Sequence, residues 1–267
     1  MTYILDCTII AHQEVAPEHR RMALRAPQIA QEALPGQFCM LEVREGFCPF
    51  LRRPMSIERI FNDGISILYK TVGQGTRLLA GLSVGAVVNV QGPLGNAFPI
   101  EKRGARHILV AGGIGVAPLP GLAEALMKKL GRAPEVILAA RDERILLCEK
   151  EFTQMGCAVH LVTDDGSAGM KGYASDCLRR LEPDASTVVY ACGPTVMMKT
   201  VHDVCMETGA RCLASLEANM ACGDGVCMGC VVETTAEDEA KRMARVCREG
   251  PVFDTRDINW NVCESMP

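Results

Sequence analysis

Four cysteines near the C-terminus constrain this chain more than any other feature of its sequence. Cys222, Cys227, Cys230 and Cys247 have the spacing C-x4-C-x2-C-x16-C, so three thiols fall within nine residues and the fourth returns later. Glycines separate the first three, and glycine lets a loop wrap closely and brings backbone N–H groups near anionic sulfur. The pattern predicts that the four thiolates hold one inorganic group.

The cysteine spacing favours a [2Fe–2S] cluster, because C-x4-C-x2-C followed by a distant cysteine is typical of plant-type clusters. Structural zinc sites more often use two short cysteine pairs far apart, and zinc remains the alternative. A disulfide framework fits poorly, because the chain is 267 residues long and its N-terminus lacks a secretory pattern. The chain has 14 cysteines in all. Those outside the motif have no regular spacing and predict free thiols in a reducing cytoplasm.

Composition limits the classes of partner. The net charge is −4 and no long basic run is present, which argues against nucleic acid or an anionic membrane as a partner. No apolar stretch reaches the length of a membrane span. With 48% hydrophobic residues the chain can bury a sizeable core, and its length predicts two domains and a small third.

The patterning of the chain divides it into three segments. Residues 1–101 contain about six short strand patterns separated by turn residues, which predicts a six-stranded antiparallel barrel. Residues 102–210 alternate buried strand patterns with helical ones, including an apolar face from Leu119 to Leu130, and predict an α/β domain with a parallel sheet. Residues 211–267 form the small cluster domain.

Two groups of residues in the barrel segment predict a phosphate site. Arg53-Pro54-Met55-Ser56 offers a guanidinium fork and a hydroxyl to a phosphate. Lys70 and the glycine turn at Gly75-Thr76, which opens a short helix, add a cation and backbone N–H groups. Tyr69 is positioned either to lie against a ring of the ligand or to pack in the core.

Two loops in the second segment predict a nucleotide crevice. Gly112, Gly113 and Gly115 follow a strand and open a helix, which suits phosphate contact, although Pro118 replaces the last glycine of the full motif. Cys192-Gly193-Pro194 ends a later parallel strand and therefore faces the same crevice. Cys192 is placed to border a nicotinamide ring or to be a buried structural thiol. Asp164 and Asp165, also at a strand end, favour NADH because they repel a 2′-phosphate.

The combination of these motifs resembles the ferredoxin–NADP reductase superfamily, and within it the electron-transfer subunits of type B dihydroorotate dehydrogenases. The resemblance runs in order through nearly the whole chain. It rests on the segments Leu51–Ile57, Gly92–Asn96, Ala111–Val116, Thr163–Gly166, Ala191–Pro194, Ser215–Glu217, Met220–Cys222 and Val246–Asp254.

The resemblance implies FAD in the barrel, NADH on the α/β domain and a [2Fe–2S] cluster at the four cysteines. It also implies a separate FMN-containing catalytic subunit, a heterotetramer of two subunits of each kind, and a role in pyrimidine biosynthesis. Acid–base chemistry on orotate then belongs to the partner, and no catalytic acid–base residue is expected in this chain. The flavin contacts carried over are Arg53, Pro54, Met55, Ser56, Leu68, Tyr69, Lys70, Gly75 and Thr76.

Two residues depart from the family pattern, and two other functions remain as alternatives. Met55 stands where a branched aliphatic residue is expected, and Asp224 adds a charge to the cluster loop. One alternative is a related flavin and iron–sulfur reductase serving a hydrogenase or a ferredoxin-linked complex. The other is a non-enzymatic, zinc-stapled nucleotide-binding regulator.

Overall fold

The computed structural model describes residues 1–43, 48–100, 106–236, 238 and 242–261. Within these ranges the chain forms an antiparallel barrel, a mostly parallel sheet flanked by helices, and a two-stranded sheet near the C-terminus. The predicted barrel and the predicted parallel sheet are both confirmed. The predicted boundary between residues 101 and 102 lies outside the described residues.

Six strands form the barrel: β1 (Tyr3–Ala16), β2 (His19–Arg25), β3 (Phe38–Leu41), β4 (Arg53–Phe61), β5 (Gly64–Lys70) and β6 (Val87–Leu94). They close in the order β1-β2-β5-β4-β3-β6, and every neighbouring pair is antiparallel. Inward-facing apolar side chains such as Ile9, Met22 and Ile67 fill the interior. Closure leaves no unpaired sheet edge, so the barrel is a rigid support for the residues at its rim.

The part of the chain that the structure describes holds nine further strands: β7 (Arg106–Gly112), β8 (Glu135–Ala140), β9 (Ala158–Thr163), β10 (Met170–Lys171), β11 (Thr187–Cys192), β12 (Arg211–Ser215), β13 (Val231–Glu233), β14 (Met243–Arg245) and β15 (Val252–Asp254). Seven of them form one sheet in the order β10-β9-β8-β7-β11-β12-β15. All of its pairs are parallel except β12 with β15. The central strands are buried on both faces, which explains their continuous apolar sequences.

The described helices are α1 (Pro27–Glu32), α2 (Gln74–Ala80), α3 (Leu119–Leu130), α4 (Glu149–Gln154), α5 (Ala174–Arg180) and α6 (Thr195–Thr208). Helix α3 spans the predicted apolar face and ends at Gly131, whose φ of 69° is a left-handed conformation that glycine adopts readily. Lys128 and Lys129 in its last turn favour the same end, since cations stabilise a helix C-terminus. None of the helices in the described ranges is long and apolar enough to cross a membrane.

The central sheet continues into the third segment. Strand β12 pairs with β11 from Val188↔Arg211 to Cys192↔Ser215, and β15 pairs with β12. The predicted domain boundary at residue 210 therefore cuts through a continuous sheet, and the segment that carries the cysteines leaves it after Ser215. The apolar pattern does not show that β12 joins this sheet, because a strand of five residues has the same pattern whichever sheet it belongs to.

A polar seam joins the barrel to the α/β layer. The Glu58 side chain on β4 has no exposed surface, and its Oε1 accepts a hydrogen bond from Arg21 Nε on β2 at 2.8 Å. Ser66 Oγ donates to Glu58 Oε2 at 2.9 Å. On the α/β side, Glu151 lies 2.6 Å from Arg21 Nη1, and the Cys148 Sγ lies 3.5 Å from Nη2. We call these five residues the interdomain seam.

Candidate functional site

The four predicted cluster ligands come together on one side of the molecule. Cys222, Cys227 and Cys230 lie in the loop before β13, and Cys247 follows β14. Cys230 and Cys247 are buried, at 3% and 2% exposure, whereas Cys227 is exposed. One edge of the site therefore faces the core and the other faces solvent.

Backbone N–H groups point at the sulfurs of this loop. The N–H of Cys227 donates to Cys222 Sγ, that of Gly229 to Cys227 Sγ and that of Cys247 to Cys230 Sγ, each at 3.4 Å. Donation of this kind from Cys222 and Gly229 lowers the pKa of the Cys227 thiol to about 7. Burial, and then the neighbouring Cys230, raises the pKa of Cys247 to about 12. The donors favour thiolate at the exposed edge, which is the form that binds iron.

The donor set fits a two-iron cluster better than a single ion. Hydrogen bonds join the sulfurs in two pairs, because the N–H of Cys227 donates to Cys222 Sγ and that of Cys247 to Cys230 Sγ. A cluster with two irons takes two thiolates at each end, so pairs suit it, whereas tetrahedral zinc needs all four at one point.

Contacts with the rest of the fold hold the cluster loop in place. Arg245 Nη1 donates to the carbonyl oxygen of Gly225 at 2.6 Å, and Arg245 also pairs with Glu249, which lowers the pKa of that carboxyl to about 2. Gly225, with a φ of 91°, and Gly223, with a φ of 76°, take left-handed conformations. A Cβ on Gly223 would lie 2.6 Å from Met40 Cγ on β3, so the loop lies directly against the barrel.

Asp224 is exposed on the cluster loop, next to Cys222 and Gly225. An electron added to an anionic cluster is disfavoured by a nearby negative charge. We expect Asp224→Asn to raise the midpoint potential of the cluster by roughly 20 mV, a small shift because water screens an exposed charge. A redox titration followed by electron paramagnetic resonance measures it. An unchanged midpoint would mean that this carboxylate does not influence the cluster.

The predicted flavin residues gather at one end of the barrel. Arg53, Pro54, Met55 and Ser56 form the partly exposed start of β4. A Cβ on Gly75 would lie 2.4 Å from Arg53 Nε, so the guanidinium rests against the glycine turn, as the shared phosphate site requires. Arg53 Nη1 donates to the carbonyl oxygen of Leu51 at 2.7 Å, and this bond holds the guanidinium group in position. The guanidinium and the backbone of the glycine turn are therefore neighbours, and donors of these two kinds fit a bound pyrophosphate.

Three other carried-over flavin residues have buried side chains. Tyr69 is 2% exposed, packs with the barrel core and bonds His12 Nε2 through its hydroxyl at 2.9 Å. This favours the core alternative for Tyr69 over stacking on a ring. Leu68 is likewise buried, and Thr76 Oγ1 accepts from the N–H groups of Val72 and Gly73 to shape the turn before α2. These residues support the site rather than present side chains to it.

The two predicted nucleotide loops meet in space. A Cβ on Gly115 would lie 2.5 Å from the carbonyl oxygen of Cys192 and from the Cα of Gly193, and one on Gly193 would lie 2.9 Å from the Cα of Gly112. Only glycine permits this backbone contact. Cys192 itself is 1% exposed, and burial raises its pKa. Its side chain is buried beneath the loops, which favours the structural-thiol alternative.

A crevice of about 670 Å³ opens at the carboxyl ends of the parallel strands. It is lined by Gly112, Gly113 and Gly115 from one loop and by Gly193 and Pro194 from the other, as predicted. Among the polar residues that also line it, His19, Arg141 and Glu217 were not assigned from the sequence. Arg141 follows strand β8, a position that the strand-end rule indicates. Nothing in the sequence marks His19, which comes from the barrel.

The flavin and cluster sites are separated by one barrel strand. Met40 packs against Gly223 of the cluster loop and pairs in register with Pro54 of the flavin motif. Neighbouring strands are about 4.8 Å apart, so the two sites lie on adjacent elements. A second cavity, of about 550 Å³, lies between Cys247 of the cluster segment and Gln91 and Asn96 of the barrel.

Comparison with solved structures defines the class of protein. The structure reported as "Insights into flavin-based electron bifurcation via the NADH-dependent reduced ferredoxin-NADP oxidoreductase structure" superposes with a TM-score of 0.83 at 30% identity, covering 96% of this chain and 90% of that one. Phthalate dioxygenase reductase shares the fold, with a TM-score of 0.63 at 19% identity, covering 91% and 94%. The fold and the three sites define a nucleotide-dependent oxidoreductase of the ferredoxin reductase type.

Sequence comparison gives the family. Residues 109–203 match the oxidoreductase NAD-binding domain, and residues 217–259 match the iron–sulfur cluster binding domain of dihydroorotate dehydrogenase B. The electron transfer subunit of dihydroorotate dehydrogenase B (NAD(+)) from Desulforamulus reducens is 36% identical, over 97% of this chain and all of the relative. The one from Streptococcus thermophilus is 39% identical, over 97% and 99%. This chain belongs to the family of dihydroorotate dehydrogenase B electron transfer subunits.

Proposed function

We propose that the chain passes electrons between NADH or NAD⁺ and the FMN of a separate dihydroorotate dehydrogenase subunit, through FAD at the barrel and a [2Fe–2S] cluster at the four cysteines. The observation that carries the proposal is the placement of Met40, which touches the cluster loop and pairs with the flavin motif. Lys70, another flavin candidate, lines the dinucleotide crevice, which supports transfer from the crevice through the flavin to the cluster.

Each part of the chain has a defined task in this scheme. The loops at Gly115 and Gly193 let a dinucleotide backbone approach the strand ends closely. Arg53 and the turn at Gly75 would hold the pyrophosphate of bound FAD at the rim of the barrel. When bound, FAD would accept two electrons as one hydride and the cluster would carry them singly, which is chemistry that the cofactors supply.

The exposed edge of the cluster loop supports a docking position for the catalytic subunit. Cys227 is exposed between Val226, at 79% exposure, and Met228, at 52%. Apolar side chains beside a redox ligand are suited to exclude water at a contact between subunits. We propose a heterotetramer with two subunits of each kind, with this loop at the contact between unlike subunits.

The test is the activity of the purified chain with and without its catalytic subunit. The chain alone should oxidise NADH with an artificial dye but should turn over almost no dihydroorotate. The complex should reduce NAD⁺ with dihydroorotate. Strong dihydroorotate oxidation by the isolated chain, or a protein without flavin absorbance, would contradict the proposal.

The structure separates the two aspartates proposed to select NADH. Asp164 lines the crevice, whereas Asp165 turns back to accept hydrogen bonds from the backbone N–H and hydroxyl of Ser167, at 2.9 and 2.7 Å. We expect Asp164→Asn to lower the KM for NADPH about fivefold, since a screened charge pair is worth about 1 kcal/mol. The matched variant Asp165→Asn should leave it nearly unchanged. Steady-state dye reduction with both nucleotides measures this, and equal effects in the two variants would contradict the assignment.

A further inference from the structure

His19 is a buried histidine at the rim of the dinucleotide crevice. It opens β2, directly after the turn from β1, and is 3% exposed. Its Nδ1 lies 2.6 Å from the carbonyl oxygen of Pro17. A carbonyl oxygen only accepts hydrogen bonds, so Nδ1 carries the proton. In the neutral ring Nε2 is then an acceptor.

The Nε2 atom of His19 has no hydrogen-bond partner within the described residues. This nitrogen is also not sealed from solvent, although the side chain as a whole is buried. Because His19 lines the crevice, its acceptor nitrogen opens into that space. A buried acceptor that is left open at a ligand crevice is suited to a ligand that donates a hydrogen bond.

Burial holds the His19 ring neutral at pH 7, because it lowers the pKa of the imidazole. Lys70 is its cross-strand neighbour on β5, and Glu18 precedes it in the turn. Burial, with a further contribution from Lys70, lowers the pKa of His19, while the Pro17 carbonyl and Glu18 act in the opposite direction. The ring therefore presents an acceptor and not a second donor.

The surroundings indicate which ligand His19 meets. Both nucleotide loops line the crevice, whereas Lys70 is the one flavin candidate among its described lining residues. A dinucleotide phosphate has no hydrogen to donate at neutral pH and suits Lys70, but the ribose hydroxyls and the nicotinamide carboxamide are donors. The acceptor nitrogen of His19 is therefore suited to bind one of these donor groups.

We propose that His19 is a dinucleotide-binding residue, whose Nε2 accepts a hydrogen bond from a ribose hydroxyl or from the carboxamide N–H of NADH. The proposal rests on the proposed function, because it requires NADH in the crevice. It assigns a barrel residue to the nucleotide site, which places the ligand between the two domains.

Two variants separate binding from support of the turn. Asn at position 19 keeps an amide donor near the Nδ1 position but does not reach Nε2, whereas Gln places its amide near Nε2. We expect His19→Asn to raise the KM for NADH and the Kd for NAD⁺ about three- to tenfold with little change in kcat, and His19→Gln to recover part of the loss. The control is His12→Gln, since both ring nitrogens of His12 are bonded, to Leu82 O and Tyr69 OH, away from the crevice.

The measurements use the FAD- and cluster-loaded chain, with flavin content and Tm recorded for every variant. An unchanged KM and Kd in both His19 variants would overturn the proposal, as would loss of flavin with unchanged NAD⁺ affinity. A lower Tm with unaltered nucleotide affinity would show that His19 only supports its turn, and would also overturn it. If the wild-type chain failed to oxidise NADH at all, the proposed function itself would fail.

Discussion

Replacing Cys230 with serine is expected to abolish electron delivery to the catalytic subunit while NADH oxidation by a dye continues. Cys230 is one of the two buried ligand candidates, and its sulfur accepts the N–H of Cys247. A hydroxyl is a poor substitute for a thiolate towards iron. We expect iron and acid-labile sulfide to be lost and NAD⁺ reduction by the complex to fall roughly a hundredfold or more. The crevice and the barrel do not include Cys230, so dye reduction should stay within about twofold.

The matched control for this loss is Cys177→Ser. Cys177 lies on α5, is buried at 6% exposure and lies outside the cluster loop. It should keep its iron, its sulfide and its activity in the complex. A Cys230→Ser protein that retained stoichiometric sulfide would contradict the ligand assignment. If the wild-type protein contained stoichiometric zinc and no sulfide, the four cysteines would form a structural zinc site and not a cluster site.

The sequence predicts elements best where the local pattern and the burial agree. The buried strand patterns predicted within residues 102–210 are found as strands such as Glu135–Ala140, Ala158–Thr163 and Thr187–Cys192, because strands of a parallel sheet are short, apolar and bounded by turns. Helix α1 is not predicted from the sequence, because six residues are too few to show a helical period of apolar side chains. The joining of β12 and β15 to the central sheet depends on long-range pairing, which a local pattern does not encode.

The candidate site shows the same division between local and long-range information. The glycine loops and the four cysteines were predicted because their residue types are needed wherever phosphate or iron is bound. The buried positions of Tyr69 and Cys192 depend on neighbours from other strands. Glu58 lies on the outer side of the barrel, where it bonds Arg21 and Ser66, and it is buried because helix α3 covers that side, with Gly121 against the Glu58 backbone. A local pattern does not show which outer side chains another domain will cover.

Loss of Arg21 is expected to destabilise the protein by about 3–5 kcal/mol, the usual cost of leaving a buried charge without its partner. Arg21 bonds Glu58, which has no exposed surface, and it also pairs with Glu151 across the interdomain seam. Although burial opposes it, the bond with Glu58 raises the pKa of Arg21, so the guanidinium stays charged at neutral pH. In Arg21→Met, Glu58 keeps Ser66 as a donor but loses its counter-charge. Chemical denaturation of the holoprotein measures the loss.

The matched control for the seam is Arg25→Met on the same strand. Arg25 lies 3.6 Å from Asp63, with the two side chains 63% and 59% exposed, so its removal should cost less than about 1 kcal/mol. The double variant Arg21→Met with Glu58→Leu should recover most of the loss, because it removes the stranded charge as well. If Arg21→Met were no more costly than Arg25→Met, Glu58 would have to be neutral or hydrated in the folded protein. The seam would then contribute packing between the barrel and helix α3, where Gly121 lies against the backbone of Glu58, and not a buried ion pair.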